Sequence, residues 1–155
     1  MNKNLQNMDL PDAYSLAVLL EKEGFDFYSK ISEEADDVQV QNEVKFLRDE
    51  EKKHREIFEK LLKQTGSVKE EKKHSLAETW IEEEILKPVK KSLEEKLPSS
   101  GSEALKMGRL METKSIEFYA ALRSQEHDSK KRDTIERVMA EEENHLRKID
   151  IILSF

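Results

Sequence analysis

Residues 20–28, LEKEGFDFY, and residues 49–54, DEEKKH, return as METKSIEFY at 111–119 and AEEENH at 140–145. One shift of 91 residues carries Glu21 onto Glu112, Phe27 onto Phe118, Tyr28 onto Tyr119, Glu51 onto Glu142 and His54 onto His145. The apolar positions around them obey the same shift: Ala17 falls on Gly108, Leu20 on Met111, Val44 on Ile135, Leu47 on Val138 and Phe58 on Ile149. Gly24 falls on Ser115. A fixed internal period marks a duplicated structural unit. Here each copy keeps a Glu, a Tyr, a second Glu and a His.

The spacing within each copy is helical. Ala13, Ala17, Leu20, Gly24, Phe27 and Ile31 alternate steps of four and three, an apolar seam made to face other helices. In the next segment the seam runs Val44, Leu47, Glu51, His54, Phe58 and Leu61, so two polar residues occupy core-facing places. Chain breakers predict helices over about 9–36, 38–64, 102–126 and 128–153. Pro11 stands where a missing N–H costs nothing, Gly66 is expected to be a left-handed C-terminal cap, and Ser102 and Asp128 are expected N-caps. Short turns make each hairpin's helices antiparallel neighbours. Between the hairpins lies a crossover, 67–100, with its own amphipathic stretch of Leu76, Trp80, Ile85, Val89 and Leu93, kinked at Pro88 and ended by Pro98. No Gly/Ser linker separates two cores. The expected architecture is therefore all-α: one domain over 1–155, a four-helix bundle of two repeated hairpins joined by a long, partly helical crossover.

That arrangement turns the repeat into a site. Glu51 and His54 are three apart and share a helix face, as do Glu142 and His145. Glu21 precedes the first turn by about as many residues as Glu51 follows it, so both stand at one height in the bundle, and Glu112 and Glu142 flank the second turn likewise. Four carboxylates and two imidazoles converge. Buried carboxylates in that number need compensating charge, and two divalent cations supply it. Carboxylate and imidazole without thiolate suit iron, manganese or zinc, and paired Glu-x-x-His motifs suit two iron ions best. Tyr28 and Tyr119 lie two turns beyond Glu21 and Glu112. Helical side chains lean toward the N-terminus, so each phenol can reach back toward the metal level as a hydrogen-bond donor.

Composition narrows the possibilities further. The 155 residues carry a net charge of −7, which argues against a binder of nucleic acid through its phosphates. Charged residues make up 39% against 4 Gly and 3 Pro, which fits long helices and not a β-sandwich. There is no apolar run long enough for a membrane span and no secretory leader, leaving the cytoplasm as the expected location. With no Cys, thiolate catalysis and any Cys-held iron centre are excluded from these residues. A second EEKKH, ending at His74, lacks the apolar seam and the companion Tyr, so Glu71 and His74 are expected to be solvated. His127 falls in a turn. Trp80 and its neighbours are expected to cover the bundle or to form a dimer contact or helix swap.

The four quoted segments resemble the ligand-bearing helices of the ferritin-like di-iron carboxylate proteins, and are most similar to the rubrerythrin branch. That pattern is one Glu from each of two helices and a Glu-x-x-His from each of the other two. The resemblance covers all four main helices. It implies Glu51 and Glu142 as bridging ligands, Glu21 and Glu112 as terminal ones, and one His per iron. Two features depart from the family: a Cys-ligated rubredoxin domain is absent from these residues, and an extra carboxylate one turn after the third-helix ligand is replaced by Ser115. The resemblance implies an oxidoreductase that reduces hydrogen peroxide or dioxygen with electrons from a separate donor such as a rubredoxin. The alternative is ferritin-like iron binding, oxidation or storage without rapid turnover. A third reading is a structural bundle whose metal supplies only stability. The helical crossover suggests a homodimer.

Overall fold

A computed structural model describes residues 3–65, 76–94 and 101–154, with side chains left undescribed at 92–94, 101 and 102. Every regular element among these residues is helical. After a short 3-10 turn, Lys3–Leu5, come α1 (Leu10–Glu34), α2 (Val38–Thr65), α3 (Leu76–Ile81), α4 (Lys87–Glu94), α5 (Gly101–Gln125) and α6 (Ser129–Leu153). Gly66, Glu71, His74 and Pro98, all assigned roles from the sequence, lie outside the described residues.

The two hairpins start and stop by local chemistry. Pro11 occupies the first turn of α1, where no helical partner for its N–H is needed. Asp37 caps α2, its carboxylate accepting from the N–H groups of Gln39 at 2.8 Å and Val40 at 3.1 Å. Asp128 caps α6 in the same way, accepting from Lys131 N–H at 3.0 Å. Asp37 and Asp128 are themselves repeat mates, so the duplicated unit includes its turn. Ser102 is not the N-cap expected of it, because α5 already begins at Gly101.

The seams meet in the interior. All six α2 seam residues, Glu51 and His54 among them, are buried. Each hairpin packs mainly within itself, while α1 touches α5 and α2 touches α6 more sparsely, closing the bundle. Phe27 meets Tyr28 edge-on at 5.3 Å, and Phe118 meets Tyr119 edge-on at 5.8 Å, so the aromatic packing repeats as well. The crossover lies against the 3-10 turn and α5, burying Trp80, Ile81, Ile85 and Val89 within its own chain. Leu76 was expected in that seam and is instead 65% exposed, since it opens α3 ahead of the packed turn. Pro88 has no N–H to return to the preceding turn. Just before it the helix widens to π spacing over Glu82–Leu86, with Lys87 N–H donating to the Glu82 carbonyl.

Candidate metal centre

Glu21 on α1, Glu51 and His54 on α2, Glu112 on α5, and Glu142 and His145 on α6 are all nearly inaccessible to solvent. Each of the six expected residues points into the interior, and the bundle brings them to one level. Ligating atoms of Glu51, Glu112, Glu142 and His145 all lie within 4.8 Å of one another, and so do those of Glu21, His54 and Glu142. Glu142 therefore belongs to both groups and Glu51 to one. The two imidazoles stack across the centre, ring centroids 5.7 Å apart.

Nδ1 is the inward nitrogen of both histidines. His54 Nδ1 lies 2.7 Å from Glu142 Oε1 and 3.7 Å from Glu21 Oε2. His145 Nδ1 lies 3.7 Å from Glu112 Oε2 and 3.8 Å from Glu142 Oε2. The outward nitrogens face a pair of carboxylates that the sequence reading overlooked. His54 Nε2 is 2.8 Å from Glu141 Oε2, and His145 Nε2 is 4.0 Å from Glu50 Oε1. Glu50 and Glu141 also stand at the 91-residue offset, which is the signal that could have found them.

Both tyrosines reach the metal level as hydrogen-bond donors, each to the other repeat. Tyr28 donates across the bundle to Glu112 Oε1 at 2.8 Å. Tyr119 donates to Glu21 Oε1. The crossing needs room. A Cβ on Gly108 would lie 3.2 Å from the Tyr28 hydroxyl oxygen and from its ring. Gly24 is tighter still, since a Cβ there would lie 2.7 Å from Glu51 Oε2. In the second repeat Ser115 fills that place and is buried.

The donor set passes a simple test of fit to cations. Glu21 Oε2, Glu51 Oε1, Glu112 Oε2, Glu142 Oε2 and both ring nitrogens of His145 are buried without a hydrogen-bond partner. Leaving so many polar atoms unsatisfied is costly unless something positive lies among them. The protonation pattern tells the same story. Burial, reinforced by the charges of Glu21 and Glu142, pushes the Glu51 carboxyl well above the usual carboxylate range. Burial alone would depress His54, but Glu142 and Glu21 outweigh it and hold the imidazolium up to about 12. Burial likewise opposes ionisation of Glu142, yet His145 and His54 bring it down to about 2. Metal-free, the cluster holds protons where positive charge is wanted.

A groove of about 630 Å³ runs between the first half of α2 and the second half of α6 and reaches His145. Val40, Phe46 and Ile152 give it apolar walls, and Glu50 and Glu141 stand at its inner end. Phe46 meets the His145 ring edge-on at 6.3 Å.

The rubrerythrin family model matches residues 12–152, from the first turn of α1 to the end of α6. The chain belongs to the rubrerythrin family. Searches of curated proteins and of solved structures returned no significant match. As a rubrerythrin-family chain it carries the ferritin-like helical bundle, and its buried carboxylate–histidine cluster lies where that family's di-iron site is implied. Among the described residues no helix is long and apolar enough to cross a membrane.

Proposed function

We propose that this chain holds two iron ions at the buried cluster and reduces hydrogen peroxide or dioxygen, drawing electrons from a separate donor protein such as a rubredoxin. The observation that carries this reading is the inward-facing set of buried, partnerless donor atoms on Glu21, Glu51, Glu112, Glu142 and His145. Glu21, His54 and Glu142 would hold one ion, and Glu51, Glu112, Glu142 and His145 the other, with Glu142 common to both. An iron pair supplies two electrons together, which is what cleavage of an O–O bond takes.

The protein's own part is to hold and shield. Tyr28 occupies one oxygen of Glu112 and Tyr119 one of Glu21, leaving the other oxygen of each buried without a partner and available to hold an ion. The groove beside His145 is a route by which a small oxidant enters. With no Cys in the 155 residues, no thiolate-held redox centre is available within them, which is why the donor is placed on another molecule.

Anaerobic titration of the metal-free protein with Fe(II), then mixing with peroxide or dioxygen under near-ultraviolet detection, tests the proposal. The expected result is two irons per chain and oxidation by peroxide that outpaces oxidation by dioxygen. Two irons oxidised slowly by both would favour iron handling over turnover. Absence of stoichiometric binding would mean that the repeat preserves a fold and no metal centre.

A further inference from the structure

We propose that Glu141 and Glu50 are positioning residues: Glu141 takes the outward Nε2–H of His54 and so presents that ring's Nδ1 to the metal, while Glu50 faces the outward Nε2 of His145 across 4.0 Å and steadies that ring by charge alone. The inference rests on the two-metal reading above and adds to it a pair of residues outside the ligand set.

A neutral imidazole carries its proton on one nitrogen and a lone pair on the other, and a carboxylate hydrogen-bonded to one side decides which. His54 is caught between two carboxylates on α6, with Nδ1 2.7 Å from Glu142 and Nε2 2.8 Å from Glu141. When a cation takes the Nδ1 lone pair, the remaining ring proton has an acceptor waiting at Nε2. The ring plane is fixed by the same bond. Consecutive residues on a helix diverge by about 100°, so Glu141 and Glu142 can embrace the ring from two sides only because His54 lies between them.

The second repeat builds the same relation less tightly. Glu50 Oε1 stands 4.0 Å from His145 Nε2, while Glu50 Oε2 pairs with Lys53 at 3.4 Å. His145 Nε2 is buried and makes no hydrogen bond, and the groove opens beside it. A surface salt-bridge role would not place both carboxylates at the 91-residue offset and both against the outward nitrogen of a buried histidine. Glu141 therefore acts as a lock on His54, and Glu50 as a looser stay on His145.

The test uses Zn(II), which is diamagnetic and redox-inert, in competition with a chromophoric chelator, on the wild type and on Glu141→Ala, Glu141→Gln and Glu50→Ala. Glu141→Ala weakens one of the two binding steps by about 10- to 100-fold and leaves the other within about twofold, the range that such supporting groups command. Glu141→Gln restores most of the loss, because its amide oxygen still accepts the ring proton. Glu50→Ala weakens the other step, and by less. Nitrogen-15 spectra of the imidazoles give a readout independent of activity: the His54 Nε2–H resonance persists in the wild type and Glu141→Gln and is lost to solvent exchange in Glu141→Ala. Unchanged binding and spectra in Glu141→Ala, with two zinc ions still bound by the wild type, overturn the positioning role alone. A wild type that fails to take two zinc ions overturns the metal centre itself, and the positioning role with it.

Discussion

Tyr28 donates its hydroxyl hydrogen bond to Glu112, a carboxylate on the other repeat, although Glu21 stands two turns away on its own helix. Tyr119 returns the bond to Glu21. Each hairpin thus orients a carboxylate that the other supplies. Replacing Tyr28 by Phe leaves Glu112 Oε1 buried and unpaired at no cost in shape. The expected loss is about 1–3 kcal/mol in the metal-free protein, read from urea unfolding, and a change below about 0.5 kcal/mol would show that the bond contributes little.

Glu51 and Glu142 have opposite effects on the metal-free fold. Two histidines hold Glu142 toward its ionised form, whereas burial and the like charges of Glu21 and Glu142 push Glu51 toward its neutral one. Glu142→Gln breaks a buried charged pair and should cost about 3–5 kcal/mol. Glu51→Gln puts a neutral isostere where burial already disfavours the charge and should cost under about 1 kcal/mol. Equal losses from the two variants in chelator-treated protein would contradict this assignment.

Gly24 has no freedom to become Ala without moving the Glu51 carboxylate, because a Cβ would lie 2.7 Å from Oε2. The helix itself favours Ala by about 1 kcal/mol, so Gly24→Ala should fold well and bind one divalent ion about tenfold or more weakly. Ser115→Ala, at the equivalent place in the second repeat, already has a Cβ and should bind as the wild type does. Calorimetric titration with Zn(II) distinguishes the pair.

Metal loading should oppose the pH dependence of stability. His54 moves from 6.5 to about 12 on folding, so its contribution is complete below 6.5 and declines as pH rises toward 12. Glu142 moves from 4.5 to about 2, so its contribution is complete above 4.5 and is lost as pH falls through 2. Glu51 is raised on folding and therefore loses stability as pH climbs past 4.5. The metal-free Tm should fall from pH 5 to pH 8. Bound cations displace these protons, so the Tm gained from Zn(II) should grow over the same interval. Scanning calorimetry with and without chelator measures both slopes, and a gain that shrinks with pH would count against proton displacement.

The helices and the ligand positions were legible because two regularities coincide. The apolar seam of α2 is interrupted at Glu51 and His54, and the 91-residue shift interrupts α6 at the same two places. A polar residue that keeps core register in two copies has to be buried, and it is. What the sequence left unread depends on neighbours in space. The spacing marked the tyrosines as donors at the metal level but not which carboxylate each would meet: the partner lies on the other repeat, and Gly108 leaves the room in which Tyr28 reaches it. Glu50 and Glu141 were hidden among 34 acidic residues, where their offset alone set them apart. Ser102 and Leu76 failed as cap and core because helix ends shift by a residue or two without changing the pattern that predicts them.

Most of the packing lies inside each hairpin, and comparatively little joins one hairpin to the other. Sequence-local contacts form early and at low entropic cost. The cluster, by contrast, exists only once the hairpins dock, because every group of ligating atoms draws on both. Docking is then the step that brings the carboxylates together, and without cations their like charges oppose it. Amide exchange along the inward faces of α1 and α5 should accordingly report separation of intact hairpins at a lower free energy than their unravelling. Metal bound as proposed would then do more than equip a finished fold: it would close the last joint between two halves that are already built.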